Sequence, residues 1–323
     1  MSCLLFLGAC GGGGGDNQVA PAPPPPSGTI EREVEPQAAD PRVTTSLQPH
    51  VAITPSTQTR ANRLFVFLPG TGGTPAMYRL ILRSGAARGY HGLGINYPNA
   101  DAVGSLCFGR EAACFWDVRR EVITGVNHSA LVSVDEPDAI VTRLERALSY
   151  LHANHPDEGW DQYLENGSIV WSKAVVAGHS QGGGHAGVMA KLFAMSRAVY
   201  FSSPADWNAL TSEPAQWMAG QPNVTAAAQQ YGFGNVGDTL VPYGELRVNW
   251  SALGLTAFGQ PVAIDGATTA SFASSHLLVT AVAGNSGGSV SPPHGSTVLD
   301  AATPLDPDGT PTFDAAWAYL CFP

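Results

Sequence analysis

The pentapeptide Gly178-His179-Ser180-Gln181-Gly182 follows the apolar run Ala174-Val175-Val176-Ala177 and leads into a helix-like stretch over residues 183–194. That is the strand, tight turn and helix context of a nucleophile elbow, and no other feature constrains the chain as much. A serine exposed on such a turn needs a strained backbone, and glycines two residues to either side leave room for neighbouring chain. The plain alternative is a glycine-rich loop that happens to contain a serine; the β-like lead-in and the helix that follows favour a nucleophile. His179 at the variable position and His185 one turn into the helix read as packing residues.

The chain has 323 residues, 44% of them apolar, which is enough for one large core. Charged residues are only 13%, about half the usual ~25%. With 37 glycines and 25 prolines, loops must be plentiful, a profile suited to an exported bacterial protein. The net charge of −10 and the absence of any basic run disfavour nucleic acid and anionic membrane surfaces as partners, because attraction to phosphate needs clustered Lys and Arg. There is no internal repeat and no apolar run long enough to span a bilayer.

The first residues carry an address. Leu4-Leu5-Phe6-Leu7-Gly8-Ala9-Cys10 resembles the end of a bacterial lipoprotein signal, with Leu7 to Cys10 as its lipobox and Cys10 as the acylated residue. The apolar stretch is shorter than an ordinary signal core and no Lys or Arg precedes it, which implies a signal beginning upstream of Met1; the alternative is a remnant of a non-lipidated secretory signal. Glycines 11–15 and the prolines that follow cannot bury a core and read as a tether. The expected organisation is therefore a signal remnant over 1–9, a Gly/Pro-rich tether over 10–45 and one domain over 46–323. By the resemblance, the only membrane contact is a lipid on Cys10, and the chain is exported as an outer-membrane lipoprotein or a periplasmic or extracellular protein. Of the other cysteines, Cys107 and Cys114 are expected to form a disulfide, consistent with an oxidising compartment, and Cys321 has no assigned role.

From about residue 62, short β-like runs alternate with helical periods, the pattern of an α/β domain with a mostly parallel sheet and helices on both faces. The runs are 64–68, 92–97, 173–177, 198–202, 231–236 and 277–283; helices are expected over 77–87, 137–154, 183–195 and 243–253. With the elbow in place, residues 62–320 resemble the α/β-hydrolase superfamily, more narrowly its secreted bacterial esterase or lipase-like members, with at most a small cap.

The resemblance implies roles. Leu68-Pro69-Gly70-Thr71-Gly72-Gly73 stands where the superfamily keeps its oxyanion loop, so the backbone N–H groups of Thr71 and Gln181 are assigned to the oxyanion, with Gly72 as the neighbouring alternative. The acid and base follow the nucleophile in chain order. Asp238, in Gly237-Asp238-Thr239-Leu240-Val241-Pro242, resembles the acid turn after the seventh strand; Asp206 is the competing acid. His294, in Ser291-Pro292-Pro293-His294-Gly295, is the base, and His276 at the start of a strand is the competitor. His128, His152 and His155 read as surface residues.

The implied activity is hydrolysis of carboxylic esters through Ser180, His294 and Asp238 by an acyl-enzyme, on a small or polymeric acyl substrate, with no metal or organic cofactor. Three alternatives stand beside it: cleavage of amides or polymers on the same triad, acyl transfer to a sugar, and a non-catalytic surface lipoprotein that binds on a hydrolase scaffold. Asp306-Pro307-Asp308-Gly309 reads as a plain turn, not a calcium loop. Trp116, Asp117, Arg119 and Arg120 line a substrate entrance or, for Arg119 with Glu121, form surface ion pairs. Trp207, Trp217 and Met218 either bind an acyl group or bury a cap.

Overall fold

The structure is a computed structural model that describes residues 28–56, 59–266, 272–286 and 291–323. Cys10 and the tract around it lie outside the described residues. The centre of the fold is a nine-stranded mixed sheet of β1 (Thr29–Val34), β2 (His50–Pro55), β3 (Leu64–Leu68), β4 (His91–Gly94), β5 (Ala174–His179), β6 (Arg197–Phe201), β7 (Gln230–Asn235), β8 (Val262–Ala263) and β9 (Leu277–Thr280). The spatial order is β1-β2-β4-β3-β5-β6-β7-β9-β8. β2 pairs antiparallel with both its neighbours and every other pairing is parallel, so β2 alone runs against the rest.

Alternation along the strands divides the core into two. In β3, Leu64, Val66 and Leu68 face one cluster while Phe65 and Phe67 face the other. The first cluster is closed by helices α2 (Cys114–Thr124), α3 (Ile140–Asn154), α4 (Gln181–Leu192) and α5 (Tyr243–Ala252), and the second by α1 (Arg79–Ala87) and α6 (Asp314–Cys321). α3 shows why: Ile140, Leu144, Ala147, Leu148 and Leu151 recur at helical spacing and are all buried, each larger aliphatic side chain contributing about 1.5–3 kcal/mol by leaving water. The helix begins at Ile140, not at 137, because Pro137 belongs to the preceding 3₁₀ turn Glu136–Asp138. The α/β class with helices on both faces is thus observed.

The expected tether over 10–45 runs too far. Thr29–Val34 pairs residue by residue with Pro55–His50, so the domain includes Thr29 and does not begin at 46. The edge strand is polar, and its Glu31 and Glu33 form ion pairs with Arg83 and Arg79 of α1; charge on an edge blocks further strand addition. Between β6 and β7, a two-residue antiparallel pair (Trp207–Asn208 with Glu213–Pro214) and a single helical turn, Trp217–Gly220, make a small excursion. Trp217 and Met218 are buried in the core there, with Trp217 packed on Gly187 of α4.

Cys107 and Cys114 are joined, with Cα atoms 5.6 Å apart, at the start of α2. Cys321 is a buried free thiol whose pKa burial pushes up. Asp306 to Gly309 forms a turn closed by Gly309 N–H on the Asp306 carbonyl. Among the described residues, no helix is long and apolar enough to cross a membrane.

Candidate active site

Because β3, β5, β6, β7 and β9 run in parallel, the loops after them share one end of the sheet. Ser180 sits between β5 and α4 at φ 52°, ψ −117°, a strained conformation for a residue with a Cβ. Its N–H donates to the Phe201 carbonyl at 2.9 Å, and its carbonyl receives Gly184 N–H and the Ser203 hydroxyl. The flanking glycines are required by close approach: a Cβ on Gly182 would lie 2.1 Å from the Leu68 carbonyl oxygen, and one on Gly178 2.3 Å from the Gly182 carbonyl carbon.

Asp238 follows β7 and His294 lies in the short helical turn Pro292–Gly295. The structure brings them together, with His294 Nδ1 2.6 Å from Asp238 Oδ2 in a buried pair. The other carboxylate oxygen accepts Leu240 N–H at 2.9 Å and Val241 N–H at 3.1 Å. The carboxylate thus directs Nδ1 to carry the proton and leaves Nε2 as the unprotonated nitrogen. The His294 carbonyl is itself held, by the Ser202 hydroxyl at 2.9 Å and His179 Nε2 at 3.0 Å. Ser180, His294, Thr71 and Gln181 all line one cavity of about 240 Å³.

The loop 68–73, expected from the resemblance to hold an oxyanion, is clamped by a residue the sequence reading missed. Asn99 donates from its amide to the carbonyls of Gly70 and Gly73, both at 2.8 Å, and its own carbonyl takes Gly72 N–H at 3.0 Å. That bond occupies Gly72, whereas the Thr71 N–H meets no acceptor among the described residues. Gln181, as the first residue of α4, has no intrahelical acceptor for its N–H. Its side-chain oxygen accepts the Thr71 hydroxyl at 2.9 Å and Val103 N–H at 3.0 Å, which ties the loop to the disulfide-bearing segment.

The competing candidates have other roles. Asp206 is buried at the cavity's lining, where it accepts Arg119 Nε at 2.7 Å, Arg119 Nη2, and Trp217 Nε1 at 2.8 Å. Arg119 also donates to the Gln181 carbonyl at 2.9 Å. Arg119 is therefore no surface residue, though it is among the residues that line the cavity. Glu121 is likewise buried, accepting His128 and Ser129 N–H at 2.8 Å. His276 stacks between Tyr231 and Phe258 and hydrogen-bonds the Gln230 carbonyl. His152 is exposed, His155 and His128 are part-exposed, and His185 is fully buried against Tyr97.

Among the described residues, no cluster of three metal-ligating side chains forms. The sequence matches no protein-family model, and no curated protein matches it.

Proposed function

We propose that this chain is a serine hydrolase of the α/β-hydrolase type that cleaves carboxylic esters through Ser180, His294 and Asp238. One observation carries the reading: a buried carboxylate–imidazole pair at 2.6 Å opens onto the same cavity as a serine in a strained strand-to-helix turn. Only a nucleophile needs all three.

In this mechanism His294 Nε2 takes the Ser180 proton as Oγ attacks the ester carbonyl carbon, and Asp238 stabilises the imidazolium. The carbonyl oxygen becomes an oxyanion that receives the N–H groups of Thr71 and Gln181. The tetrahedral intermediate collapses, His294 returns the proton to the departing alcohol, and water repeats the sequence on the acyl-enzyme. The Cys107–Cys114 disulfide supports export to an oxidising compartment, and lipid attachment at Cys10 belongs to the same proposal.

The test is turnover of p-nitrophenyl esters by the protein and by Ser180→Ala, together with labelling by a fluorophosphonate. Turnover and labelling in the parent, both lost in the variant, are expected. A parent that neither turns over esters nor accepts the label refutes the serine hydrolase reading.

A further inference from the structure

His179 occupies the variable position of the elbow, yet both of its nitrogens are engaged and the side chain is buried at 2% exposure. It is the last residue of β5, on the same face as Val175 and Ala177, and its ring lies 5.8 Å from that of Tyr78 and 4.8 Å from that of His294. Proton bookkeeping fixes the direction of the bonds. The His294 carbonyl at Nε2 can only accept, so in the neutral ring Nδ1 is left to receive the Tyr78 hydroxyl proton at 3.0 Å, while Tyr78 Oη accepts Gly70 N–H at 3.2 Å. Nδ1 is then the acceptor nitrogen, and Nε2 carries the hydrogen donated to the His294 carbonyl at 3.0 Å.

We propose that His179 is a positioning residue, a single imidazole that sets the distance between the oxyanion loop and the backbone of the general base behind Ser180. The proposal rests on the hydrolase reading of Ser180 and His294. The two groups it joins come from loops at opposite ends of the chain and must act on one substrate carbon, where a displacement of about 1 Å costs on the order of 10² in rate. The oxyanion loop packs directly on this point, since a Cβ on Gly70 would lie 3.2 Å from His179 Nδ1 and 3.3 Å from the Ser180 Cβ. Burial, aided by the neighbouring His294, lowers the His179 pKa to about 3. The ring therefore stays neutral and keeps one donor and one acceptor throughout the working range of pH.

The experiment compares the full chain with His179→Leu, His179→Gln and Tyr78→Phe, measuring kcat and KM for p-nitrophenyl acetate per fluorophosphonate-titrated site, with the labelling rate. For His179→Leu we expect kcat to fall about 10–100-fold with KM changed less than about threefold. His179→Gln should recover part of the loss, because an amide also offers one acceptor and one donor. A folded His179→Leu protein with the parent's kcat per titrated site overturns the proposal, as does a Gln variant no better than Leu. Should His179→Leu fail to fold, Tyr78→Phe decides, since it removes only the hydroxyl between Gly70 and His179: a several-fold loss in kcat per site at constant KM supports the role, and an unchanged kcat overturns it. If the parent itself neither labels nor turns over, the hydrolase reading falls and takes this role with it. A parent that labels, beside variants that label equally fast, refutes the positioning role alone.

Discussion

Removing the Asp206 carboxylate should strip the elbow of its underlying support. Arg119 and Asp206 have side chains only 2% and 1% exposed, and the carboxylate accepts two guanidinium bonds and one from the Trp217 indole. Hydrogen bonds to charged groups contribute about 1.5–3 kcal/mol each, but the losses do not add, because Arg119 keeps its bond to the Gln181 carbonyl. The dominant cost is a guanidinium left without its counter-charge in the interior, so Asp206→Ala should lose about 3–5 kcal/mol. Urea unfolding at pH 7 measures this. The double variant Arg119→Met with Asp206→Leu should be less destabilised than Asp206→Ala, since it buries no orphan charge. A loss below about 1 kcal/mol for Asp206→Ala would refute the reasoning by implying a hydrated pair. Activity separates the two candidate acids in the same experiment. Folded Asp206→Ala should keep kcat within about tenfold of the parent, whereas Asp238→Asn should lose on the order of 10⁴ by favouring the wrong tautomer of His294; the opposite ranking would transfer the acid's role to Asp206.

The cavity holds only about 240 Å³ and has the charged Arg119 and Asp206 in its lining, so kcat/KM on p-nitrophenyl esters should rise about fourfold per methylene while the acyl chain still buries and then fall. Decanoate turning over faster than butyrate would contradict this. Acid should unfold the protein through its histidines. Burial, then the charge of Arg143, lowers the His50 pKa to about 3, burial and His294 do the same for His179, and burial, then the charge of Arg119, holds His185 well below the ordinary histidine value. Unfolded histidine binds its proton near pH 6.5 while these folded ones refuse it, so stability is full above about pH 6.5 and drains away as pH falls towards 3. Melting temperatures from pH 8 to 4.5 should decline below pH 6.5, and a flat series would count against neutral burial. Reducing the Cys107–Cys114 bridge, whose cysteines are seven positions apart, should cost up to about 2.5 kcal/mol on the loop-entropy account. It should also slow turnover, because Val103 N–H anchors Gln181 Oε1 close by; reduced protein with unchanged stability and rate would show that the bridge is redundant.

What was legible in the sequence follows from how far apart the interacting residues lie. β3, β5 and β6 stood out because each holds a run of buried apolar residues, and the elbow stood out because its glycines answer a clash within a few residues of chain. Asp238 and His294 could be picked by their order after the serine and the turns that carry them. β1 was lost for a physical reason: its residues Thr29-Ile-Glu-Arg-Glu-Val34 meet α1 and Glu158 through charge and only Val34 reaches the core, so no apolar run announces the strand, and the Gly/Pro tract before it suggested a tether. β2, fully buried, has only Val51-Ala52-Ile53 between His50 and Thr54 to announce it.

The residues that brace the candidate site left the weakest trace, and Arg119 shows why. Its partner is 87 positions away, and a helix that reads Asp117-Val118-Arg119-Arg120-Glu121 on its own looks like a solvated face. His179 extends the point. Its hydrogen bonds go to residues 101 positions before it and 115 after it, so no window of sequence contains its surroundings, and an apolar side chain would fit the local pattern of β5 equally well. A polar residue at an apolar position is costly unless each of its groups finds a partner. Here each does: Nδ1 meets the Tyr78 hydroxyl, which itself takes Gly70 N–H, and Nε2 meets the His294 carbonyl. The burial that made His179 look like packing is thus what lets one uncharged ring fix both loops without competing for the proton on His294.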